Sequence, residues 1–527
     1  MSKIFSPLQP PRRALALLGG VLASLLLGGW ALPPLAGRSA STALDLPAAQ
    51  ATPLGLALAP EVQARPGLSG IHPLEHPHDA FAARALLARA AERTLDVQYY
   101  IWRGDTTGTL LLGELLAAAE RGVRVRLLLD DVGTSGLDAQ LAALDAHPHI
   151  EVRLFNPFAL RSPKVLGYLA DLRRANRRMH NKSFTADNQA SIVGGRNVGD
   201  EYFGATSGVL FADLDVLAVG PVVQAVSTDF DRYWSSASAY PAQGLLPAVE
   251  PAAMAQLAQQ AQALLASDGA RDYALAILRS DFVQRLLRHE LPLEWARVQM
   301  LSDDPAKGLG AARREGLLLP QLEAALGQPR RSVDLVSPYF VPTAAGVAAF
   351  ARLQEAGVRV QVLTNAFEAT DVPAVHAGYA KYRRPLLAAG VTLYEMRRLV
   401  PELAGAPAQP LARRLGSSGS SLHAKTFAVD GERVFVGSLN FDPRSAHLNT
   451  ELGFLIDSPA LAQQVAQAFA TTVPEQSYRV KLAGDGALQW HGGLGDPPPV
   501  YATEPHTTWW SRTMVRVLMC LPIEWLL

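Results

Sequence analysis

Two short segments of the chain carry histidine, lysine and aspartate at the same spacing. Both follow the pattern H-x-K-x4-D, with His180, Lys182 and Asp187 in one copy and His423, Lys425 and Asp430 in the other. Because side chains alternate along an extended segment, the histidine and the lysine of each copy point to one face. Agreement at this many fixed positions indicates an internal repeat.

Further polar residues recur behind each copy of the motif. A short apolar run leads to Gly194-Gly195 and Asn197 in the first copy, and to Gly437-Ser438 and Asn440 in the second. The glycines allow a ligand or a neighbouring strand to come close to the backbone. Two carboxylates, Asp213 and Glu451, follow in similar local contexts. We predict that they orient the histidines and fix their tautomers.

Two such copies brought together would form a pocket for a phosphodiester. The lysines, Asn197, Asn440 and Ser438 would hold the non-bridging oxygens of the phosphate. One histidine can attack phosphorus and form a covalent phosphohistidine. The other can protonate the departing oxygen and then deprotonate an incoming alcohol or water.

These residues resemble the signature of the phospholipase D superfamily, whose members carry the paired H-x-K-x4-D motif. The resemblance implies one active site between two pseudo-symmetric halves, with no metal ion and no other cofactor. It also implies that all six motif residues are catalytic, with His180 as the nucleophile and His423 as the general acid and base. Both copies match in full, which argues against a catalytically idle membrane scaffold.

Within this superfamily, the chain is similar to bacterial cardiolipin synthases. The segments that carry the similarity are 95–102, 178–185, 194–200 and 521–527. This resemblance implies phosphatidyl transfer from phosphatidylglycerol or phosphatidylethanolamine to a hydroxyl of phosphatidylglycerol, with cardiolipin as the product. The alternative is a hydrolase of the same fold that cleaves phospholipids or, less consistently with the composition, nucleic acid.

Composition limits the partners of the chain. Its formal net charge is zero, which gives no electrostatic match to nucleic acid. We therefore expect phospholipids and a membrane surface as partners, and no nucleic acid. The single cysteine, Cys520, excludes an intramolecular disulfide and a cysteine-based metal cluster. With 527 residues, 49% of them hydrophobic, the chain can bury large cores in two or more domains.

The order of the predicted elements repeats as well. The first half has a strand over 94–102, a helix over 109–121 and a strand over 123–130, and the second has a strand over 333–336, a helix over 344–355 and a strand within 356–363. Strand–helix–strand units favour a largely parallel, buried sheet. We therefore predict an α/β fold with two pseudo-symmetric α/β/α domains and the active site at their interface.

The predicted domain organisation has six parts. They are a signal or membrane anchor at 1–37, a linker at 38–78, the first domain at 79–245, a helical connector at 246–325, the second domain at 326–475 and a C-terminal extension at 476–527. We expect the connector helices to pack across both domains.

Three segments bear on membrane contact and access. Apolar residues 14–32 behind a basic flank predict insertion in the bacterial inner membrane, with the catalytic part on its outer side. The alternatives are a cleaved signal peptide and a mistaken upstream start. Residues 509–521 combine paired tryptophans, spaced arginines and an apolar face, which fits an interfacial helix or a helix docked on the core. The Gly/Ser-rich segment 416–421 predicts a flexible loop, with a lid as the alternative.

Overall fold

The computed structural model describes residues 32–161, 164, 171–206, 210–249, 252–288, 290–398, 421–493, 495 and 497–527. Most of the predicted signal or anchor, and residues 416–420 of the predicted loop or lid, lie outside this described part. Across these described residues, no helix combines the length and the apolar character needed to cross a membrane.

The strands divide between the two halves of the chain. In the first half they are β1 (Ser69–Leu74), β2 (Thr94–Ile101), β3 (Arg124–Gly133), β4 (Ile150–Phe155), β5 (Ser183–Ala186), β6 (Ala190–Gly194), β7 (Phe211–Ala212), β8 (Asp215–Val219) and β9 (Ala239–Pro241). In the second half they are β10 (Glu294–Ser302), β11 (Ser332–Val336), β12 (Arg359–Asn365), β13 (Thr392–Met396), β14 (Ser421–Leu422), β15 (Thr426–Val429), β16 (Arg433–Gly437), β17 (Leu452–Asp457), β18 (Ser477–Leu482), β19 (Leu488–Gly492) and β20 (Val500–Tyr501).

One 18-stranded sheet runs through the described parts of both halves. The antiparallel pair β1–β10 lies at its centre. Outward from this pair, the first half continues as β8-β6-β5-β2-β3-β4-β9 and the second as β17-β16-β15-β11-β12-β13-β18. The runs β2-β3-β4 and β11-β12-β13 are parallel. The predicted duplication of α/β units is confirmed.

Helices cover both faces of each half-sheet. Successive residues Leu127 and Leu128 of β3 lie in different cores, because strand side chains alternate. The first core contains the helices Pro77–Ala90, Thr106–Glu120 and Asp138–Asp145, and the second contains Pro221–Trp234. The equivalent helices of the second half are Thr343–Glu355, Pro373–Ala380 and Arg383–Ala388 on one face, and Pro459–Ala470 on the other. The α/β/α prediction is confirmed.

Shorter and peripheral helices complete the described chain. They are Leu46–Gln50, Pro53–Gln63, Leu172–Ala175, Asp200–Phe203, Ala253–Leu265, Asp268–Leu278, Asp281–Leu287, Leu318–Leu326, Pro443–His447, Thr472–Gln476 and Trp509–Cys520, with single 3₁₀ turns at Ala242–Gly244, Pro305–Leu309, Arg314–Gly316 and Glu524–Leu526.

Three predicted segment descriptions need correction. Residues 38–78 are not a linker, since they contain two helices and β1, the strand at the centre of the sheet. The connector 246–325 includes β10, which pairs with β17 of the second half. Its helices do not bridge the two domains. Ala253–Leu265, Asp268–Leu278 and Asp281–Leu287 bury their apolar residues in the core of the first half, whereas Leu318–Leu326 packs in a core of the second half. The extension 476–527 adds β18, β19 and β20 to the sheet.

The helix Trp509–Cys520 docks on the second half by one face. Val515 is buried and packs with Leu518 and Met519 against Phe367 and Ala377. The opposite face of the helix remains exposed. The docked-helix interpretation therefore holds for one side of this helix.

Candidate active site

The segments that carry the two histidines are held by the opposite halves of the molecule. The N–H of His180 donates to the carbonyl of Thr450 at 2.9 Å, and the N–H of His423 donates to the carbonyl of Ala212 at 2.8 Å. Parallel pairing of β14 with β7 continues the second contact. Thr450 and Ala212 directly precede the two predicted orienting carboxylates, so the backbone brings each histidine beside the carboxylate of the other half.

Each imidazole is hydrogen-bonded to that carboxylate. Glu451 Oε2 lies 2.8 Å from His180 Nδ1, and Asp213 Oδ2 bonds His423 Nδ1. All four side chains are buried. A carboxylate on Nδ1 favours the tautomer with the proton on that nitrogen, so Nε2 of each ring is available to react. The structure supports the orienting role of Glu451 and Asp213 but crosses the pairing between halves.

Both motif lysines are buried beside the histidines. Lys182 donates to the carbonyl of His180, and Lys425 donates to that of His423. Lys425 Nζ also lies 3.1 Å from Nδ1 and 3.2 Å from Nε2 of His423. Burial lowers the pKa of Lys182 to about 7, because loss of solvent disfavours the ammonium ion. A phosphate bound beside Lys182 would bring a negative charge to this buried side chain and so favour its ammonium form.

The electrostatic surroundings of the two histidines differ. Burial lowers the pKa of His180 well below its usual value, and the charges of Lys182 and Lys425 lower it further. Burial and Lys425 also lower the pKa of His423, but the charge of Asp213 and its hydrogen bond oppose this effect. His180 is therefore held as a neutral imidazole, and His423 has the stronger support for a positive charge.

The carboxylates show the same asymmetry. Burial raises the pKa of Glu451 to about 7, against the opposing effects of Lys182 and Ser438. Burial would raise the pKa of Asp213 too, but the charges of His423 and Lys425 hold it below its usual value. Asp213 is thus the stronger of the two carboxylate partners for an imidazolium ion, and the ring that it contacts is His423.

Aromatic rings flank both imidazoles. Tyr100 packs edge-on against His180 with ring centroids 4.9 Å apart. Tyr202 and Phe211 lie 5.2 Å and 5.0 Å from the ring of His423. These rings limit the contact of the histidines with water, which strengthens the charge interactions inside the pocket.

The predicted phosphate ligands are placed differently from one another. Asn197 accepts from the N–H of Ile101 at 3.2 Å and donates to the hydroxyl of Tyr202 at 3.0 Å. Ser438 donates its hydroxyl proton to Glu451. Asn440 has a buried Oδ1 with no partner among the described residues. Phosphate binding by these three side chains stays a prediction, and for Asn197 and Ser438 it would require exchanging a bond made within the protein.

The two motif aspartates lie away from the histidines. Asp187 accepts from the N–H groups of residues 92, 93 and 94, and Asp430 accepts from those of residues 330, 331 and 332. β5 separates Asp187 from Lys182, and at about 3.3 Å per residue this puts Asp187 roughly 16 Å from Lys182 at the far end of the strand. The structure corrects their predicted catalytic role, since these carboxylates fix the entry to β2 and β11.

An Asp430→Asn variant tests this correction. The substitution removes the charge that accepts three backbone N–H groups, so we expect the free energy of unfolding to fall by about 1–2 kcal/mol. We expect kcat to stay unchanged, because Asp430 does not reach the pocket. Urea unfolding and steady-state turnover measure the two quantities. A loss of kcat at unchanged stability would restore the catalytic interpretation.

Two positioning residues escaped the sequence analysis. Asp130 accepts from the N–H of Met179 at 2.7 Å, and Asn365 exchanges two hydrogen bonds of 3.0 Å with the backbone of Leu422. Each therefore holds the residue before a histidine. They are the seventh residues of the equivalent strands β3 and β12, so the matched positions in the two strands carried the signal, although the residue type differs between the copies.

A duplicated α/β/α fold with one buried His/Lys site across its halves defines a phospholipase D-type protein. The family model described as "Cardiolipin synthase, PLD-like domain" matches residues 84–234 and 322–473. The chain therefore belongs to the cardiolipin synthase family of phospholipase D-type phosphatidyltransferases.

Individual relatives agree with this assignment. The chain is 48% identical to cardiolipin synthase C of Escherichia coli (strain K12) over 90% of its own length and 99% of the relative. It is 25% identical to the major cardiolipin synthase of Bacillus subtilis (strain 168), over 72% of this chain and 64% of that one. Among solved structures, phosphatidylserine synthase of Haemophilus influenzae matches with a TM-score of 0.51 at 15% identity, covering 81% of this chain and 92% of that one. The last likeness concerns the fold alone.

Proposed function

We propose that the protein makes cardiolipin in two chemical steps through a phosphohistidine on His180. In the first step, Nε2 of His180 attacks phosphorus of the donor lipid, the N–P bond forms and the P–O bond to the headgroup breaks. The departing oxygen takes a proton from His423. In the second step, a hydroxyl of phosphatidylglycerol gives its proton to His423 and attacks phosphorus, and the N–P bond breaks.

The observation that carries this proposal is the crossed pairing of two buried histidines with two unequal carboxylates. The pKa of His180 is lowered well below its usual value by burial and by the lysines, so its Nε2 keeps the lone pair that a nucleophile needs. Asp213 is held ionised beside His423, so His423 is the histidine better placed to carry the proton for the leaving group. Lys182 and Lys425 would stabilise the charge that develops on the phosphoryl oxygens.

The proposed substrates are those that the family resemblance implies, and the proposed location rests on the apolar residues 14–32 behind their basic flank. The donor is phosphatidylglycerol or phosphatidylethanolamine, and the acceptor is phosphatidylglycerol. The names of the relatives in Escherichia coli and Bacillus subtilis support cardiolipin as the product. We propose that the protein works on the bacterial inner membrane, with its catalytic part on the outer side.

Purified full-length protein on vesicles tests the reaction. Phosphatidylglycerol and phosphatidylethanolamine with different acyl chains are mixed, and the lipid products are separated by mass. Cardiolipin is the expected product, and its acyl chains identify the donor. Phosphatidic acid without cardiolipin would favour the hydrolase, and an absence of both products would remove the proposed function. A protein with His180→Ala serves as the control for contaminating activity.

A further inference from the structure

The exposed face of the helix Trp509–Cys520 is apolar along a single stripe. Trp510, Met514, Val517 and Leu521 follow one another at helical spacings of four, three and four residues, which places them on one side of the helix. Their exposed fractions are 74%, 45%, 58% and 42%. Isolated exposed apolar residues are ordinary, but a contiguous row that includes tryptophan marks an interaction surface.

A basic cavity lies on the other side of the same helix, where Arg512, Val515, Arg516 and Met519 line it. It has a volume of about 420 Å³, and five cations line it: Lys381, Arg383, Arg384, Arg512 and Arg516. Glu504 is the single carboxylate among the lining residues.

Part of this positive charge is left without an acidic partner. Lys381 pairs with Glu524, and Arg383 pairs with Glu395 and Glu504. Arg384 and Arg512 bond backbone carbonyls, and among the described residues no carboxylate lies within ion-pair distance of either of them or of Arg516. The cavity therefore suits an anionic group.

The segment that follows the helix is tied to the active site. Glu524 accepts from Lys381 and from Tyr382, both at 3.0 Å. The carbonyl of Leu527 accepts from the N–H of Arg444. Arg444 in turn donates to the carbonyl of Asn176 at 3.1 Å, four residues before His180. These contacts fix the position of the helix, and of its exposed apolar stripe, relative to the catalytic pocket.

We propose that this helix docks the protein on an anionic phospholipid bilayer. The stripe Trp510, Met514, Val517 and Leu521 enters the interfacial layer, where tryptophan is favoured. Arg516, which is exposed at the edge of the basic cavity, meets the phosphate of an anionic lipid headgroup. The proposal rests on the proposed lipid function for its choice of occupant, and it adds a second lipid site outside the catalytic pocket.

Cys520 provides a probe for this contact, because it is the only cysteine of the chain and it is exposed at the end of the helix. Full-length protein carries an environment-sensitive fluorophore on Cys520 and is mixed with vesicles that contain a quencher in the lipid phase. We expect quenching on vesicles of phosphatidylglycerol with phosphatidylcholine, and little on phosphatidylcholine alone. Quenching does not depend on turnover. The docking proposal and the proposed cardiolipin synthesis can therefore be refuted independently.

Matched variants separate the stripe from general surface stickiness. Trp510→Ser with Val517→Ser should abolish most of the quenching. Leu275→Ser with Leu278→Ser, at exposed positions on another helix, should leave it unchanged. Arg516→Ala should reduce quenching about fivefold at limiting phosphatidylglycerol, the effect of removing one basic residue near an anionic surface.

Three results would overturn the proposal. The first is a probe on Cys520 that is not quenched from the lipid phase when phosphatidylglycerol vesicles are present. The second is an equal loss of quenching in both double variants. The third is shielding of the probe without vesicles that grows with protein concentration, which would identify a second copy of the chain as the occupant.

Discussion

Replacing His180 with alanine should abolish turnover and prevent any covalent lipid adduct on the protein. The variant keeps Glu451, His423 and both lysines, so the pocket still has its charges but lacks the atom that bonds phosphorus. Removing the nucleophile from groups that act as a unit typically costs about 10⁴-fold or more in kcat. A single-turnover experiment with intact-protein mass analysis measures both the rate and the adduct.

The position of the adduct makes this prediction specific. In the wild type, the phosphatidyl group should be found on the peptide around residues 178–185 and not on the one that contains His423. His149→Ala is a suitable control, because His149 is exposed and lies outside the pocket. A wild-type adduct on His423 would make His423 the nucleophile and His180 the general acid and base. Full activity of the His180→Ala protein would exclude the two-histidine mechanism.

The sequence predicted the central residues because the chain repeats them. Matched spacing identified the histidines and lysines, and the similar contexts of Asp213 and Glu451 identified the carboxylates. The crossed pairing could not be predicted in this way, since each carboxylate follows its own motif in sequence. It depends on the contacts of Thr450 and Ala212 with the opposite half, which are set by the arrangement of the halves.

The central strand β1 shows why part of the fold escaped prediction. Its sequence includes Gly70 and Pro73, which argue against a strand flanked on both sides. The pairing with β10 covers only Ser69 to Ile71, whereas the pairing with β8 continues past Pro73 to Leu74. Pro73 therefore lies where β1 has one neighbour, so its missing N–H leaves no partner unsatisfied. The strand is stabilised by its long-range neighbours and not by local preference.

The motif aspartates show the opposite error. The family resemblance implied a catalytic role for them. A carboxylate that accepts three backbone N–H groups, however, also needs a fixed position in the sequence. Asp187 and Asp430 adopt positive φ angles of 51° and 58°, a conformation that aspartate tolerates better than most residues. Repetition in sequence therefore preserves structural residues together with catalytic ones.

His423→Ala and Asp213→Asn should impair protonation of the leaving group, and a better leaving group should rescue that step. With phosphatidylglycerol as donor, we expect kcat to fall about 10²–10⁴-fold, the usual contribution of general acid–base catalysis. In a phosphatidyl ester of 4-nitrophenol, the leaving group is 4-nitrophenolate, a stable anion that needs no proton to depart. Its release should therefore proceed in both variants but not in His180→Ala, where the nucleophile is missing. Release of nitrophenol, measured by absorbance, reports this first step alone.

The second step should then expose the other duty of His423. Transfer to phosphatidylglycerol still requires a base to accept the proton of the attacking hydroxyl. The nitrophenyl leaving group assists only the first step and does not remove this requirement. The His423→Ala protein should release about one equivalent of nitrophenol and stop, with the phosphatidyl group retained on His180. The Asp213→Asn protein keeps the imidazole, so it should turn over slowly. With phosphatidylglycerol as donor, where His423 must be protonated, its activity should fall off with rising pH at a lower pH than in the wild type. That direction follows because the Asp213 carboxylate raises the pKa of His423, and its removal lowers the pH above which the imidazolium is lost. Continuous nitrophenol release by His423→Ala, with no trapped adduct, would show that another group serves as the base.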